Sequence, residues 1–195
     1  MPLTRIIEQN IFRARMRIQP AVILRRFIYR RLGMQVGVKS TLGRVSVNWP
    51  HQIRIGRETA VLDGTTMDYC HGIWRPGPSI IIGDHCYIGR GVEFNCRARI
   101  ALGNDCLVAA GCRFIDHDHG MAIGQLMRLQ GGPEEEITVG DDVWLGSDVI
   151  VLKGVTIGDG AVIAAGAVVN RSVPAMEAWG GIPARRLRSR AQGFI

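Results

Sequence analysis

Residues 139–174 read VGDDVW LGSDVI VLKGVT IGDGAV IAAGAV VNRSVP when cut into sixes. Val139, Leu145, Val151, Ile157, Ile163 and Val169 lead the six hexads. A second set, Val143, Val149, Val155, Ala161, Ala167 and Val173, holds the fifth place of each. Neither the helix period of 3.6 nor the strand period of 2 produces such a repeat. A chain winding around a triangular prism does, with one flat face per hexad. The large aliphatic residue points inward on each face, and the small fifth residue fills the interior beside it. Gly, Asp and Asn fall at the corners, where a positive φ is expected.

The same frame appears upstream. Ile82, Ile88, Phe94 and Ile100 lead IGDHCY, IGRGVE, FNCRAR and IALGND. The register then slips by two, and Leu102, Val108 and Phe114 lead LGNDCL, VAAGCR and FIDHDH. Weaker hexads begin at Val36, Leu42, Ile55 and Val61. The expected fold is all-β, a parallel β-helix spanning residues 33–174. Two segments break the frame, 68–79 and the longer 115–138. A long insertion in a tight repeat marks a functional loop. Residues 175–195 form a tail. Residues 1–32 form a basic amino-terminal helical segment, with one weak helix over 3–18 and a second over 21–32.

Charge is unevenly spread over the 195 residues. Residues 1–31 hold eight arginines against one glutamate, and residues 171–195 hold five against one, while the repeat body is acidic. An acidic body argues against a broad nucleic-acid surface. The helix over 21–32 places Leu24, Phe27 and Ile28 on one stripe and Arg25, Arg26, Arg30 and Arg31 on another side. It can cap the open end of the prism or lie on an anionic bilayer. No signal peptide or membrane-length apolar run is evident. The expected location is the cytoplasm, with peripheral contact at the inner face of the membrane through residues 1–31. Cys86, Cys106 and Cys112 take the fifth hexad place and read as buried free thiols.

Asp116-His117-Asp118-His119 opens the long insertion. Histidine ionises near neutrality and serves as a general base, and a flanking carboxylate orients the ring. The spacing lacks a recognisable third metal ligand, so no metal is expected.

These features resemble the hexapeptide-repeat acyltransferases, which fold as left-handed parallel β-helices. Within that family the chain looks like the maltose, galactoside and nodulation acetyltransferases and their relatives in polysaccharide O-acetylation. It covers about residues 33–190. VWLGSDVIVLKGVTIGDGAVIAAGAVVNRSVP at 143–174, GGIPARRLR at 180–188, FNC at 94–96 and FIDHDHG at 114–120 carry it. The resemblance implies acetyl-CoA as co-substrate, a homotrimer, and a sugar or glycan acceptor. His117 would be the base, with His119 as the alternative. Asn95 and Asp116 would serve the substrate side. Trp144, Gly146, Ser147, Ala164, Ala165, Asn170, Arg171 and Arg188 would line the cofactor groove. Two departures stand out. The aspartate that follows the asparagine coil in the sugar enzymes is missing, and Arg-rich helices replace their amino-terminal region. Rival readings are a xenobiotic acetyltransferase and a non-catalytic β-helix used for assembly. A γ-class carbonic anhydrase would need three zinc-binding histidines.

Overall fold

The computed structural model describes residues 20–70 and 76–190. The expected helix over 3–18 lies outside the described residues. Three parallel ladders form the walls of a prism. The first face stacks β1 (Gln35–Val36), β4 (Ile53–Ile55), β7 (Ile80–Ile82), β10 (Ile100–Leu102), β13 (Ile137–Val139) and β16 (Thr156–Ile157). The second stacks β2 (Thr41–Leu42), β5 (Ala60–Val61), β8 (Tyr87–Ile88), β11 (Leu107–Val108), β14 (Trp144–Leu145) and β17 (Val162–Ile163). The third stacks β3 (Ser46–Val47), β6 (Thr66–Tyr69), β9 (Glu93–Cys96), β12 (Arg113–Ile115), β15 (Ile150–Leu152) and β18 (Val168–Val169).

Hexad leaders pair with hexad leaders. Leu102 faces Val139, Val108 faces Leu145, and Phe114 faces Val151 across adjacent coils. All of them are buried. Each ladder therefore runs one line of aliphatic side chains down the prism, which removes them from water and closes a single core. Phe94 and Phe114 stack in that line, with centroids 4.9 Å apart and rings 6° from parallel. The two-residue slip at Ile100 keeps both leaders in the core, because Ile100 and Leu102 both point inward from β10 with Ala101 outward between them.

The corners divide their work more finely than the sequence reading expected. The glycine at the second hexad place is needed for close approach, not for positive φ. A Cβ on Gly103 would stand 2.3 Å from Asp141 Oδ1, and one on Gly140 would stand 2.1 Å from Asp159 Oδ1. The space goes to a ladder of third-place side chains. Asp84, Asn104, Asp141 and Asp159 each accept a backbone N–H from the coil before, at 2.6–2.9 Å. Positive φ falls later in the corner and is often taken by other residues, among them Glu58, His85, Asp105, Asp142 and Asp148. The fifth place does more than fill space. Thr59 Oγ1, Cys86 Sγ and Cys106 Sγ donate to the carbonyls of Gly83, Gly103 and Gly140 at 2.8, 3.1 and 3.1 Å. A small side chain with a polar hydrogen satisfies a buried carbonyl there.

Two segments close the ends. Helix α1 (Pro20–Arg31) lies over the first coil. Arg25, Arg26 and Arg30 donate to the carbonyls of Leu42, Ser40 and Val36, and the Tyr29 hydroxyl donates to Val45 O. These bonds occupy backbone acceptors that an uncovered sheet edge would expose. The helix caps the first coil, but its apolar stripe faces away from it, with Ile23, Leu24, Phe27 and Ile28 exposed. At the other end the expected tail folds into a hairpin, β19 (Glu177–Gly180) against β20 (Arg185–Ser189), and β19 extends the second face beside β17. The insertion leaves the prism after Ile115 and rejoins at Ile137, so its limits lie slightly inside the expected 115 and 138.

Candidate functional site

The insertion leaves the third face at the corner leading to the first, and its opening residues build the site. Asp116 is fully buried. Its Oδ1 accepts Arg97 N–H at 2.7 Å and its Oδ2 accepts Ala98 N–H at 2.9 Å, both from the corner of the preceding coil. A carboxylate taking two backbone amide hydrogens is an acceptor on both oxygens. His117, 8% exposed, lies with Nδ1 3.0 Å from Asp116 Oδ1. Nδ1 is then the donor, and Nε2 carries the lone pair. The backbone of His117 also bridges Glu134 on the returning limb, which ties both ends of the loop together at the ring.

The second histidine is placed differently. His119 is exposed, and the residue between them, Asp118, is drawn sideways to Lys153 Nζ at 2.7 Å. That bond holds the lysine's ionisation above its ordinary range. Among the described residues, only His117 of this pair has a buried carboxylate on its ring.

Asn95 sits half-buried on the outward side of β9, in register with Ile115 of β12 and therefore two residues from His117. Its Oδ1 accepts from Cys70 Sγ at 2.9 Å. Burial pushes the Cys70 thiol up from its usual ionisation. Cys70, Arg97 and Lys153 surround the loop mouth and were not expected from the sequence. Arg97 also forms a long ion pair, 3.9 Å, with Glu134. The signal for Lys153 was available: it is one of two lysines in the chain and stands at the corner one coil beyond the insertion.

The residues expected to line a cofactor groove are spread over several places, of which Asn170 and Arg171 alone share the corner of His117. Gly146 and Ser147 stack on Ala164 and Ala165 at the corner between the second and third faces. Gly166 N–H donates to Ser147 O there at 2.8 Å, and a Cβ on Gly146 would meet Ala165 N at 2.6 Å. Trp144 stands half-exposed beside Leu107 on the outer side of the second face. Arg188 lies on β20 opposite Ala178. Asn170 and Arg171 are exposed at the corner shared with His117, beyond β18. Within one chain the Ser147 corner and the His117 corner bound opposite edges of the third face. The width of the third face, carried by β15, separates Ser147 from Lys153. One chain therefore does not bring the two groups together. Among the described residues, no cluster of three or more His, Cys, Asp or Glu side chains is placed to hold a metal ion.

Two family models match the repeat. Bacterial transferase hexapeptide (six repeats) matches residues 136–171, and Hexapeptide repeat of succinyl-transferase matches residues 79–113. No curated protein matches the chain. Among solved structures, a hexapeptide-repeat-containing acetyltransferase from Vibrio cholerae complexed with acetyl coenzyme A is 28% identical. That match covers 92% of this chain and 84% of the other, with a TM-score of 0.60. An N-acyltransferase from Bacillus cereus, complexed with dTDP and coenzyme A, is 17% identical over 82% and 86% of the two chains, with a TM-score of 0.72. A maltose O-acetyltransferase from Clostridium difficile 630 is 20% identical over 94% and 87%, with a TM-score of 0.57. The last two share the fold. The prism is the left-handed β-helix of hexapeptide repeats, and the chain is similar to hexapeptide-repeat acetyltransferases.

Proposed function

We propose that the protein transfers an acetyl group from acetyl-CoA to a hydroxyl of a sugar or surface-polysaccharide precursor, with His117 as general base. The observation that carries this reading is the buried Asp116–His117 pair, with the carboxylate fixed by two backbone amides and Nδ1 committed to it. In the proposed reaction the acceptor O–H passes its proton to His117 Nε2. The oxygen attacks the thioester carbonyl, the tetrahedral intermediate collapses, and the CoA sulfur leaves with the proton that His117 returns. Asp116 holds the ring and stabilises the imidazolium formed in between. Asn95, beside the ring on the third face, contacts the acceptor.

The acyl donor is proposed to lie along the corner of Gly146, Ser147, Ala164 and Ala165, where small side chains admit a thin pantetheine arm. Asn170, Arg171 and Arg188 supply its polar and phosphate contacts. These corners lie at opposite edges of one face, and Leu107 and Trp144 leave apolar surface exposed beside the first. A homotrimer supplies the missing wall: the corner with Ser147 on one subunit faces the corner with His117 on the next. In support, the Vibrio cholerae neighbour is complexed with acetyl coenzyme A.

Calorimetry with acetyl-CoA on wild type and Ser147→Trp tests the donor site. Ser147 is exposed, so the indole fills the groove without entering the core. Micromolar binding lost in the variant supports the reading. A folded wild-type protein that binds neither acetyl-CoA nor longer acyl-CoAs overturns it.

A further inference from the structure

Helix α1 is inverted relative to an ordinary surface helix. Arg25, Arg26 and Arg30 turn inward onto the prism beside Val22 and Tyr29, and the larger apolar stripe of the helix is turned out. Arg30, Arg26 and Arg25 reach carbonyls of the first face, the next corner and the second face, and Tyr29 reaches Val45 O beside the third, so the helix lies across the end of the first coil. Among the described residues, the outward side is then the end face. Ile23, Leu24, Phe27 and Ile28 are 52, 58, 54 and 46% exposed on it, and Leu32 continues the stripe at 57%. Arg31 stacks over the Phe27 ring at 5.0 Å and carries charge to the rim. An apolar patch of this size rimmed by charge marks an interaction surface.

Charge selects the occupant. The helix sequence PAVILRRFIYRR holds four arginines and no acid. A second copy packed on this face would bring two such sets together. Residues 1–19 carry four arginines against one glutamate and would do the same. An anionic bilayer is complementary in both respects, taking the stripe into its acyl boundary and its phosphates onto Arg31 at the rim. We propose that the end face formed by α1 docks on an anionic membrane surface. The prism then stands on the bilayer with the loop mouth a few coils away. His117 follows β12, three strand spacings below β3, about 14 Å along the axis. This docking does not depend on the transfer reaction proposed above, and its failure would leave acetyl-CoA binding untouched.

The test floats the full chain with vesicles of phosphatidylcholine alone and of equal parts phosphatidylcholine and phosphatidylglycerol. The expected result is recovery with the anionic vesicles only, falling as salt is raised. The variant carrying Ile23→Gln, Phe27→Gln and Ile28→Gln should partition at least about tenfold less, with an unchanged melting temperature and oligomeric state. Wild type that stays unbound with anionic vesicles overturns the proposal, as does a variant that binds equally well. A variant with an altered melting temperature or oligomeric state shows that protein covers the stripe, and it also overturns the proposal.

Discussion

Replacing Asp116 by asparagine changes one atom and should cost both stability and turnover. The carboxylate accepts three hydrogen bonds: Arg97 N–H and His117 Nδ1 on Oδ1, and Ala98 N–H on Oδ2. Asparagine has one acceptor oxygen. If that oxygen stays at the Oδ1 position, the amide N–H₂ confronts the Ala98 N–H in a site with no solvent access. A buried donor left unmade costs about 1–3 kcal/mol, and the remaining bonds lose their charge assistance. If the amide is flipped, its N–H₂ confronts Arg97 N–H and makes His117 Nδ1 the acceptor. The ring hydrogen then moves to Nε2, and the base is lost. Either arrangement destabilises the fold by about 2–4 kcal/mol, which lowers the melting temperature of a chain this size by about 5–15 °C. Turnover should fall by about 10²–10⁴. His117→Ala should lose turnover on the same scale with a much smaller thermal shift, because Asp116 keeps both backbone partners. Calorimetric melting of the two variants, followed by thiol release from acetyl-CoA with an acceptor in hand, separates the cases. An Asp116→Asn protein melting within a degree or two of wild type would refute the buried network. Full turnover in His117→Ala would move the base to His119.

Further outcomes are expected from the coil geometry and the titrating groups. Gly103→Ala should lower stability by about 1–3 kcal/mol through the clash with Asp141; Gly91→Ala, with a φ of 65° and nothing within 4 Å of a Cβ, should cost only about 1 kcal/mol, and denaturant melts compare them. Thiol titration of the native protein at mild alkaline pH should show slow reaction at half-buried Cys70 alone. Cys112 is pushed up to about 11 by burial, and the four buried thiols should react only after unfolding. Glu177 is held below the usual carboxylate range by the Trp179 Nε1–H and Arg186 hydrogen bonds. Its contribution is present above the ordinary glutamate value and fades as pH falls through the lower folded value. Hydrogen-exchange protection factors across β19 and β20, taken relative to intrinsic rates, should therefore fall in acid, and Glu177→Gln should flatten that dependence.

Much of the architecture was legible because a hexad repeat leaves the chain few other ways to bury its large residues. Val139 to Val169 determine three faces, inward lines and coil spacing by themselves. Asp116 and His117 were visible as candidates because ionisable groups rarely cluster where a tight repeat is interrupted. What the sequence alone could not decide depends on contacts between residues far apart in the chain. The choice between His117 and His119 as the better-held ring rests on backbone amides at Arg97 and Ala98, about 20 residues upstream, which periodicity does not reveal. The role of second-place glycine is set by the aspartate of the next coil, as at Gly103 and Asp141. The direction of the α1 stripe was also open. An amphipathic pattern states that two sides differ, whereas the unpaired carbonyls of the first coil draw the arginines inward and leave Ile23, Leu24, Phe27 and Ile28 facing out.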